Sequence, residues 1–434
     1  MDMIKIQNTN KIMLSLFNVV KSEGDKTWVY NTLSSAFIEI STQAWNSLSS
    51  SNDRELLDTL KRQGIIVDDN QTEINKYRYI YYKKLFDNRT LSVTIAPTMQ
   101  CNFGCPYCFE GTHKTMPKMQ EEVIAALTTF LIKHSEDKKL SINWFGGEPL
   151  LAFDVICRIC DTLNEHNVEF TSSMVTNGSL LTEDKTDHLD SLHLNHLQIT
   201  LDGTAESHDK RRFYKGGLPS FNNIIANIDC LIRKTSIPLV IQVGVDNTNL
   251  HAYEDVYEYV SNRYKEALEK KRIIVGCNNI QNRTGFDCTG TCLTDRQLYD
   301  KRVRATEDGL YPELMAKLPG MSLPCMYRRT NQPAIDPQGN IYHCLEHLGM
   351  TGKSIGNICK GTMSFSKIAD MAFMGDPFDD NECRQCNVLP VCGGGCPQDI
   401  LACNDRKHKT YCSYHKQFLA DMLPYLYKRF IKEQ

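Results

Sequence analysis

The 434-residue sequence lacks the features of a membrane protein and of a nucleic-acid-binding protein. No apolar run approaches the ~18 residues that a membrane-spanning helix needs, and residues 1–6 show no signal-peptide pattern. Lys and Arg number 49 against 52 Asp and Glu, so there is no basic excess to attract a polyanion. We therefore expect a cytoplasmic protein with no membrane partner and no nucleic-acid partner.

Low-complexity tracts are also missing, and residues 1–90 contain no cysteine although the whole chain contains 18. A cytoplasmic chain uses so many cysteines to bind metals rather than to form disulfides. The length allows two or three domains. The sequence thus predicts a cysteine-free N-terminal domain followed by domains that hold metal centres.

The first cysteine group is Cys101, Cys105 and Cys108, spaced C-x3-C-x2-C directly after a β-rich run. A [4Fe–4S] cubane normally has four cysteine ligands, so three leave one iron open to a substrate. The spacing is unusual for a structural zinc site, and three cysteines this close cannot all pair as disulfides. We interpret the group as an open iron–sulfur cluster site.

Three further motifs follow successive predicted strands: Gly146-Gly147-Glu148-Pro149, Thr176-Asn177-Gly178 and Leu201-Asp202-Gly203. Together with the cysteine motif they resemble the radical S-adenosylmethionine (SAM) superfamily. The resemblance implies that the open iron chelates the amino and carboxylate groups of SAM. An electron from the cluster then cleaves SAM, and the resulting 5′-deoxyadenosyl radical abstracts hydrogen from a substrate.

The same resemblance implies a set of SAM-contacting residues. Glu148 is expected at the SAM ammonium, Asn177 and Asp202 at the ribose hydroxyls, and Tyr107 near the adenine; His208, Asp209 and Arg212 are either structural or contact the SAM carboxylate. Asn177 and Asp202 could each instead be ordinary turn residues. The full predicted set is Tyr107, Gly146, Gly147, Glu148, Thr176, Asn177, Asp202 and Arg212.

Strands and helices alternate from residue 91 to about residue 280, within a predicted domain over residues 91–310, and this pattern predicts a parallel sheet with its ligands at the carboxyl ends of the strands. Six units fit the partial (β/α)6 TIM-like barrel of the SAM family, in the α/β class. The predicted strands are Leu91–Pro97, Leu140–Phe145, Glu169–Thr176, His196–Leu201, Leu239–Val245 and Arg272–Gly276. The clearest predicted helices are Glu121–His134, Phe221–Arg233 and Tyr253–Lys270.

Residues 1–90 carry a hairpin pattern about Asn31–Ser35, a helix capped by Thr42, a second helix over Asp53–Arg62 and a strand at Gly64–Asp68. The arrangement resembles the small winged-helix domain that recognises leader peptides in peptide-modifying enzymes. The alternative is a packing extension of the barrel.

The second cysteine block, in residues 311–434, resembles the SPASM domain of peptide and protein maturases. Its members, with Gly339 between the first two, are Cys325, Cys344, Cys383, Cys386, Cys392, Cys396 and Cys412. A zinc ribbon is the alternative, since Cys383-x2-Cys386 alone would suit zinc. The resemblance implies two auxiliary [4Fe–4S] clusters, and three clusters in the whole chain.

The resemblance assigns Cys383, Cys386, Cys392 and Cys412 to one auxiliary cluster and Cys325, Cys344 and Cys396 to the other. The fourth ligand of the second cluster is Cys288, Cys292 or none, and an open iron there could take a substrate thiolate. The other cysteines are expected to be buried apolar fillers: Cys157, Cys160, Cys230, Cys277, Cys359 and Cys403.

These patterns together predict a maturase that installs a thioether or carbon–carbon cross-link in a ribosomally made precursor peptide with a leader. An external one-electron donor such as flavodoxin or ferredoxin is its expected partner. The alternatives are a sulfatase maturase that forms formylglycine, and a non-catalytic iron–sulfur scaffold. Asp399 resembles the proposed base of sulfatase maturases, but Gln398 and Ile400 depart from their pattern, and Asp399 could instead cap a C-terminal helix.

Overall fold

The computed structural model describes residues 12–111, 116–281, 290–309, 317–402 and 412–433. Cys288 and Cys403 lie outside these ranges. None of the described helices combines the length and the apolar character needed to cross a bilayer.

The N-terminal unit contains two small antiparallel sheets and three helices. Strands β2, β3 and β4 form a meander, while β1 pairs with β5. Its elements are β1 (Met13–Leu14), β2 (Asn18–Glu23), β3 (Lys26–Asn31), β4 (Phe37–Ser41), α1 (Thr42–Asn46), α2 (Arg54–Arg62), β5 (Ile66–Val67) and α3 (Asn70–Leu85).

The predicted hairpin, second helix and following strand are all present as β3–β4, α2 and β5. The turn after β3 forms because the Asn31 side-chain oxygen accepts the backbone N–H groups of Leu33 and Ser34. The predicted cap of α1 was wrong by one residue: Ser41, not Thr42, accepts the Ala44 N–H at 3.1 Å. Strand β2 and helix α3 were not predicted from the sequence.

A six-stranded parallel sheet forms the centre of the molecule, with its strands paired in chain order from β6 to β11. The strands are β6 (Thr90–Ile95), β7 (Lys139–Trp144), β8 (Phe170–Thr176), β9 (Leu194–Thr200), β10 (Leu239–Val245) and β11 (Ile273–Asn279). The helices between them are α4 (Glu121–Ser135), α5 (Phe153–Glu165), α6 (Glu183–Thr186), α7 (Ala205–Arg211), α8 (Phe221–Lys234), α9 (Ala252–Arg263) and α10 (Lys265–Glu269).

All six predicted strands overlap the observed ones, because alternating apolar residues such as Leu91, Val93 and Ile95 pack in the core cluster against the crossover helices. The single helix predicted over Tyr253–Lys270 is instead two, α9 and α10. The two helices meet at Tyr264, which is buried and whose hydroxyl donates a hydrogen bond to the Asp229 carboxylate at 2.8 Å. The sequence has no glycine or proline there to indicate the break.

The cysteine-rich region continues the central sheet. Strand β12 pairs with β6 in parallel, and β13, β14 and β15 extend the sheet as antiparallel strands. Its elements are α11 (Asp295–Asp308), β12 (Ala334–Ile335), β13 (Asn340–Tyr342), β14 (Gly356–Asn357), β15 (Thr362–Met363), α12 (Phe365–Phe373), α13 (Asn381–Arg384), α14 (Leu389–Cys392), α15 (Pro397–Ala402) and α16 (Tyr414–Glu433).

The N-terminal unit packs directly on the cysteine-rich region. Val19, Trp28 and Tyr30 share one buried cluster with Leu419 and Leu423 of α16. Polar contacts fix the same interface: Lys21 pairs with Asp421 at 2.7 Å, the Tyr30 hydroxyl donates to the Pro319 carbonyl at 2.7 Å, and the Thr32 hydroxyl donates to the Asn387 carbonyl at 2.6 Å. The N-terminal unit therefore packs on α16 and on the segments around Pro319 and Asn387.

Candidate functional site

The predicted motifs lie at the same edge of the central sheet, where the parallel strands end. The cysteine motif follows β6, Gly146 to Glu148 follow β7, Asn177 follows β8 and Asp202 follows β9. In parallel sheets this edge carries the ligand-binding groups. The fold therefore gathers these motifs at one rim.

Hydrogen bonds hold the loop of the first three cysteines. The Cys101 sulfur is buried and accepts the Phe103 N–H at 3.4 Å. The loop is joined to the segment after α7, since the Gly104 N–H donates to the Phe213 carbonyl at 2.9 Å and the Lys215 N–H to the Asn102 carbonyl at 2.8 Å. N–H donors directed at sulfur suit a thiolate ligand.

Gly146 and Gly147 press against the backbone of the cysteine loop. A Cβ on Gly146, whose φ is +102°, would lie 2.4 Å from the Thr98 carbonyl oxygen, and a Cβ on Gly147 would lie 2.3 Å from that of Gln100. The Glu148 N–H donates to the Gln100 carbonyl at 2.8 Å. Only glycines allow this approach.

The Glu148 carboxylate is fully buried and accepts three hydrogen bonds inside the protein. Its donors are the Thr176 hydroxyl at 2.7 Å, the Asn177 N–H at 2.7 Å and the Leu150 N–H at 3.0 Å. Burial raises the pKa of Glu148, and the bonds from Asn177, Thr176 and Leu150 oppose that rise. In this structure Glu148 joins the β7 and β8 loops, and its predicted contact with the SAM ammonium stays a prediction.

The Asn177 side chain is 5% exposed and joins the β8 loop to the cysteine loop. Its Nδ2 donates to Asn102 Oδ1 at 2.8 Å, and its Oδ1 accepts the Ser179 N–H at 2.9 Å. Its Nδ2 also lies 4.0 Å from the Cys101 sulfur. Asn177 thus positions the first cysteine through Asn102; its predicted ribose contact stays a prediction.

Asp202, Tyr107 and two arginines form a buried polar cluster at the β9 end of the rim. Asp202 is fully buried; one oxygen accepts the Gly244 N–H at 3.1 Å, and the other is hydrogen-bonded to the Tyr107 hydroxyl. Arg212 donates to that hydroxyl at 2.9 Å. Arg211 lies 4.8 Å from the Tyr107 ring centroid and 3.5 Å from Asp202 Oδ2.

The predicted roles of Tyr107 at the adenine, Asp202 at the ribose and Arg212 at the SAM carboxylate stay predictions. Among the described residues these side chains contact one another, and Arg211 covers the Tyr107 ring. Burial lowers the pKa of Arg212, but Tyr107, Cys105 and Asp202 more than offset this and hold it well above its usual value. A fixed positive charge therefore lies beside the cysteine loop.

His208 and Asp209 have structural roles in α7 and α8. His208 is fully buried, with Nδ1 facing the Asp202 N–H at 3.3 Å and Nε2 facing the Ser220 hydroxyl at 3.0 Å. Burial, and then Arg212, lowers the pKa of His208 to about 3, so the ring is neutral. Asp209 accepts the Ser220 and Phe221 N–H groups at 2.7 and 2.9 Å, which caps the start of α8.

The second cysteine block divides into two groups in space. The first group consists of Cys383, Cys386, Cys392 and Cys412, which line one cavity. The same cavity is also lined by Glu382, Val388, Leu389, Ser413 and Lys416. Burial raises the pKa of Cys383 to about 12, and Asp380 and the other three thiols add to the shift. The Lys416 ammonium lies 3.4 Å from the Cys386 sulfur.

The other group contains Cys325, Cys344 and Cys396. Burial raises the pKa of Cys344 to about 12, and negative charge on Glu346, Cys325 and Cys396 raises it further. Backbone N–H groups oppose the effect of burial, since that of Glu346 lowers the pKa of Cys344 and those of Asp399 and Gln398 lower the pKa of Cys396. Two of these sulfurs thus lie at helix N-termini, which favour negative charge.

Two predicted residues lie elsewhere. Cys292 is disulfide-bonded, and its carbonyl accepts the Asn247 side chain at 2.9 Å, beyond the end of β10. That places Cys292 on the barrel side, while Cys288 lies outside the described residues. Asp399 is exposed in the first turn of α15. Burial raises the pKa of Cys396, and the backbone N–H of Asp399 opposes that rise. It does not occupy the N-cap position.

Within the described ranges, no three His, Cys, Asp or Glu side chains converge closely enough to hold one metal ion. A cubane binds each cysteine through a different iron, so its ligands surround it and need not meet at one point. The donor sets suit iron–sulfur clusters: Cys101, Cys105 and Cys108 lie in one loop, and four later cysteines line one cavity.

Sequence reasoning missed the residues that connect the motifs, chiefly Asn102, Ser179 and Arg211. Asn102 follows the first cysteine and Arg211 precedes the predicted Arg212, so both were adjacent to identified positions. Their roles depend on contacts between loops that are distant in the chain.

Comparisons with known proteins agree with this geometry. The family model of the Radical SAM superfamily matches residues 95–260. The radical SAM cyclopropyl synthase TigE of Paramaledivibacter caminithermalis is 21% identical over 98% of this chain and 97% of its own length. A cysteine-type anaerobic sulfatase-maturating enzyme of Clostridium novyi is 24% identical over 76% of this chain and 94% of its own.

Among solved structures, Streptococcus suis SuiB bound to precursor peptide SuiA is similar with a TM-score of 0.55 and 15% identity, over 94% of this chain and 100% of SuiB. At that identity the likeness concerns the fold. The central parallel sheet, the cysteine loop after its first strand and the family match lead to one conclusion: this chain is an enzyme with a radical SAM domain, matched over residues 95–260, and it is related to peptide-modifying enzymes and to sulfatase maturases.

Proposed function

We propose that this enzyme is a maturase that installs an oxidative cross-link, a thioether or a carbon–carbon bond, in a ribosomally synthesised precursor peptide. The observation that carries the proposal is the extent of similarity. TigE aligns with 98% of the chain, so the alignment includes the N-terminal unit, which lies outside the matched residues 95–260. SuiB, solved with a precursor peptide, aligns with 94%.

Three clusters and SAM would be the cofactors. Cys101, Cys105 and Cys108 would hold the SAM-binding cluster. The four-cysteine group and the three-cysteine group described above would hold the two auxiliary clusters. When bound, these cofactors supply the one-electron chemistry that generates a 5′-deoxyadenosyl radical.

The chain's own residues would fix the geometry and move charge. Glu148 and Asn177 hold the loops after β7 and β8 against the cysteine loop, while Arg212 keeps positive charge beside Cys105. Closing a cross-link removes two hydrogens from the peptide: one leaves as a hydrogen atom, and the other as a proton and an electron. The cysteines of the two auxiliary groups would hold clusters that supply a one-electron acceptor for that electron, and an external one-electron donor such as flavodoxin or ferredoxin would supply the electron for SAM cleavage.

A groove of about 300 Å³ in the N-terminal unit would receive the leader peptide. Its walls come from the loop after β3, from β5 and from α3, and include Leu33, Ile66 and Ile80. Lysines 61 and 76 and the acidic residues 68, 69 and 73 also line it. β5 pairs with β1 on one side, so a leader could add as a strand along the other.

The groove is best tested by point variants, because deleting residues 1–85 would uncover the apolar face of α16. Ile80→Asp should abolish leader-dependent modification while 5′-deoxyadenosine formation continues. Tyr79→Asp is the matched control, since Tyr79 is 68% exposed and does not line the groove. Equal rates of peptide modification by the two variants would contradict the proposed binding of the leader in this groove.

Product analysis tests the reaction itself. Each short open reading frame beside the gene is co-expressed with the enzyme, and the peptide is examined by mass spectrometry. The loss of two hydrogens without a reactive carbonyl supports the cross-link. Changing Cys101, Cys105 and Cys108 together to Ala should abolish SAM cleavage and remove about four irons from about twelve; continued 5′-deoxyadenosine formation would contradict the catalytic assignment.

The second candidate is a sulfatase maturase, favoured by the 24% identity to the Clostridium novyi enzyme over 76% of the chain. Asp399 would then be the base that takes a proton from the substrate thiol or hydroxyl. An aldehyde on Cys or Ser of a sulfatase-derived peptide would support this reading.

A further inference from the structure

The auxiliary cluster proposed for Cys325, Cys344 and Cys396 needs a fourth ligand or has an open iron. Cys292, one candidate, is disulfide-bonded and contacts Asn247 beyond the end of β10. Another donor among the described residues around the three cysteines would complete the ligand set. This inference rests on the proposed auxiliary cluster.

His347 lies one short turn after Cys344. Cys344 is the N-cap of a 3-10 helix over Leu345–His347, and the His347 N–H donates to the Cys344 carbonyl at 3.1 Å. In a 3-10 helix, side chains three residues apart project from the same side. The spacing Cys344-x2-His347 thus directs an imidazole to the side of the turn that carries the thiol.

The segments that carry the three cysteines meet at His347. The ring of Tyr327, two residues after Cys325, lies 6.2 Å from the His347 ring in an edge-to-face arrangement. Burial lowers the pKa of His347, and the side chain of Gln398, two residues after Cys396, opposes that shift, so it lies beside the imidazole. His347 is 4% exposed, so this contact is in the interior.

The position of Gln398 beside the imidazole suits a metal-binding histidine. Such a ligand uses one ring nitrogen for the metal and donates the N–H of the other to an oxygen, which fixes the ring. The Gln398 side chain can provide that oxygen, and its own buried Nε2 has no hydrogen-bond partner, so the amide is not committed elsewhere through that atom. In such a site the other imidazole nitrogen of His347 would bind the iron.

We propose that His347 is the fourth protein ligand of the auxiliary cluster held by Cys325, Cys344 and Cys396. The iron is then closed to substrate thiolates, and the cluster transfers electrons only. A neutral imidazole in place of an anionic thiolate makes the cluster less negative, which raises its reduction potential, as histidine ligation does in Rieske centres.

His343 provides the matched control. It is also a buried histidine in the same segment, 3% exposed, but its Nδ1 is hydrogen-bonded to the Tyr327 carbonyl at 3.1 Å. Replacing His343 removes a similar volume and a similar hydrogen bond without removing the proposed ligand. A difference between His343→Ala and His347→Ala thus reports ligation and not packing.

The experiment uses the full chain with Cys101, Cys105 and Cys108 changed to Ala, so that only the auxiliary clusters contribute. Pulsed EPR of the reduced, reconstituted protein should show a directly bound imidazole nitrogen. The signal should change on ¹⁵N-histidine labelling, persist in His343→Ala and vanish in His347→Ala. His347→Cys should keep the iron and lower the reduction potential of that cluster. This variant therefore tests the assignment even if His347→Ala folds poorly.

Two results would overturn the ligand assignment: the absence of a bound nitrogen in protein with both auxiliary clusters, or its persistence in His347→Ala. A spectral change when 2-mercaptoethanol is added to protein that retains His347 would also overturn it, because that indicates an open iron. Failure of the proposed function gives a different result: the starting protein would then contain fewer than about eight irons.

Discussion

Gly147→Ala is predicted to disrupt the cluster loop specifically. The added methyl carbon would lie 2.3 Å from the Gln100 carbonyl oxygen, 2.4 Å from the Met99 oxygen and 2.6 Å from the Gln100 carbonyl carbon. All three atoms are backbone of the segment leading into Cys101, so no flexible side chain can move aside. Gly147 has no positive φ, so alanine adds crowding without backbone strain.

The required movement follows from these distances. Ordinary contact begins at 3.4 Å, so the loop must retreat by about 1 Å from the 2.3 Å position. Overpacking of this kind costs about 1–3 kcal/mol, which the whole fold tolerates. A displacement of about 1 Å at a reacting centre can lower the rate about 100-fold. We therefore expect a folded protein in which SAM cleavage falls about 100-fold.

The assay measures iron content and 5′-deoxyadenosine formation in anaerobically reconstituted protein. The auxiliary clusters should stay, because their cysteines lie in other segments. Gly352→Ala is the control, since a Cβ there meets nothing within 4 Å and Gly352 has no positive φ. If Gly147→Ala cleaves SAM as fast as the control, the argument that this glycine positions the cysteine loop is wrong.

Three further changes have defined outcomes. Asp399→Asn should lower peptide modification less than tenfold, with unchanged iron content, because Asp399 is exposed and serves Cys396 through its backbone N–H; a thousandfold loss would favour the sulfatase-maturase reading. Because burial lowers the pKa of His208 to about 3, the unfolded chain binds a proton below pH ~6.5 that the folded chain does not. The free energy of unfolding should thus fall by about 2 kcal/mol from pH 7.5 to pH 5. In His208→Gln this part of the pH dependence should be absent, as measured by melting curves recorded across that pH range. Tyr30→Phe should cost about 1 kcal/mol by leaving the Pro319 carbonyl unpaired, measured as a lower Tm with no change in SAM cleavage.

The central sheet could be predicted from the sequence because its strands have local patterns. Val93 and Ile142 alternate with polar neighbours and pack under the helices, so their strands can be predicted from the residues of each strand alone. The motif residues could be located for the same reason, since each follows a strand. Strand β2 was missed because its second half, Lys21 to Glu23, is polar.

The partners of the site residues could not be predicted, since they are set by contacts between distant loops. The ligand contact of Glu148 stays a prediction, and the sequence did not indicate that its oxygens accept hydrogen bonds from Thr176 and Asn177, which are about thirty residues away in the chain. The pairing of Asp202 with Tyr107 spans nearly a hundred residues. Such contacts depend on how the loops after neighbouring strands fit together, which residue spacing does not encode.

The packing of β2 and β3 on α16 has a consequence for biosynthesis. The residues that complete the apolar face of Trp28 and Tyr30 are near position 420, so the ribosome delivers them tens of seconds later at about 5–20 residues per second. During that interval the early sheet exposes aromatic surface and unpaired strand edges, which attract chaperones and promote aggregation. The N-terminal unit therefore gains its final stability only after the last helix has been translated, and a ribosome that stalls before α16 releases a chain whose first domain is a target for proteolysis.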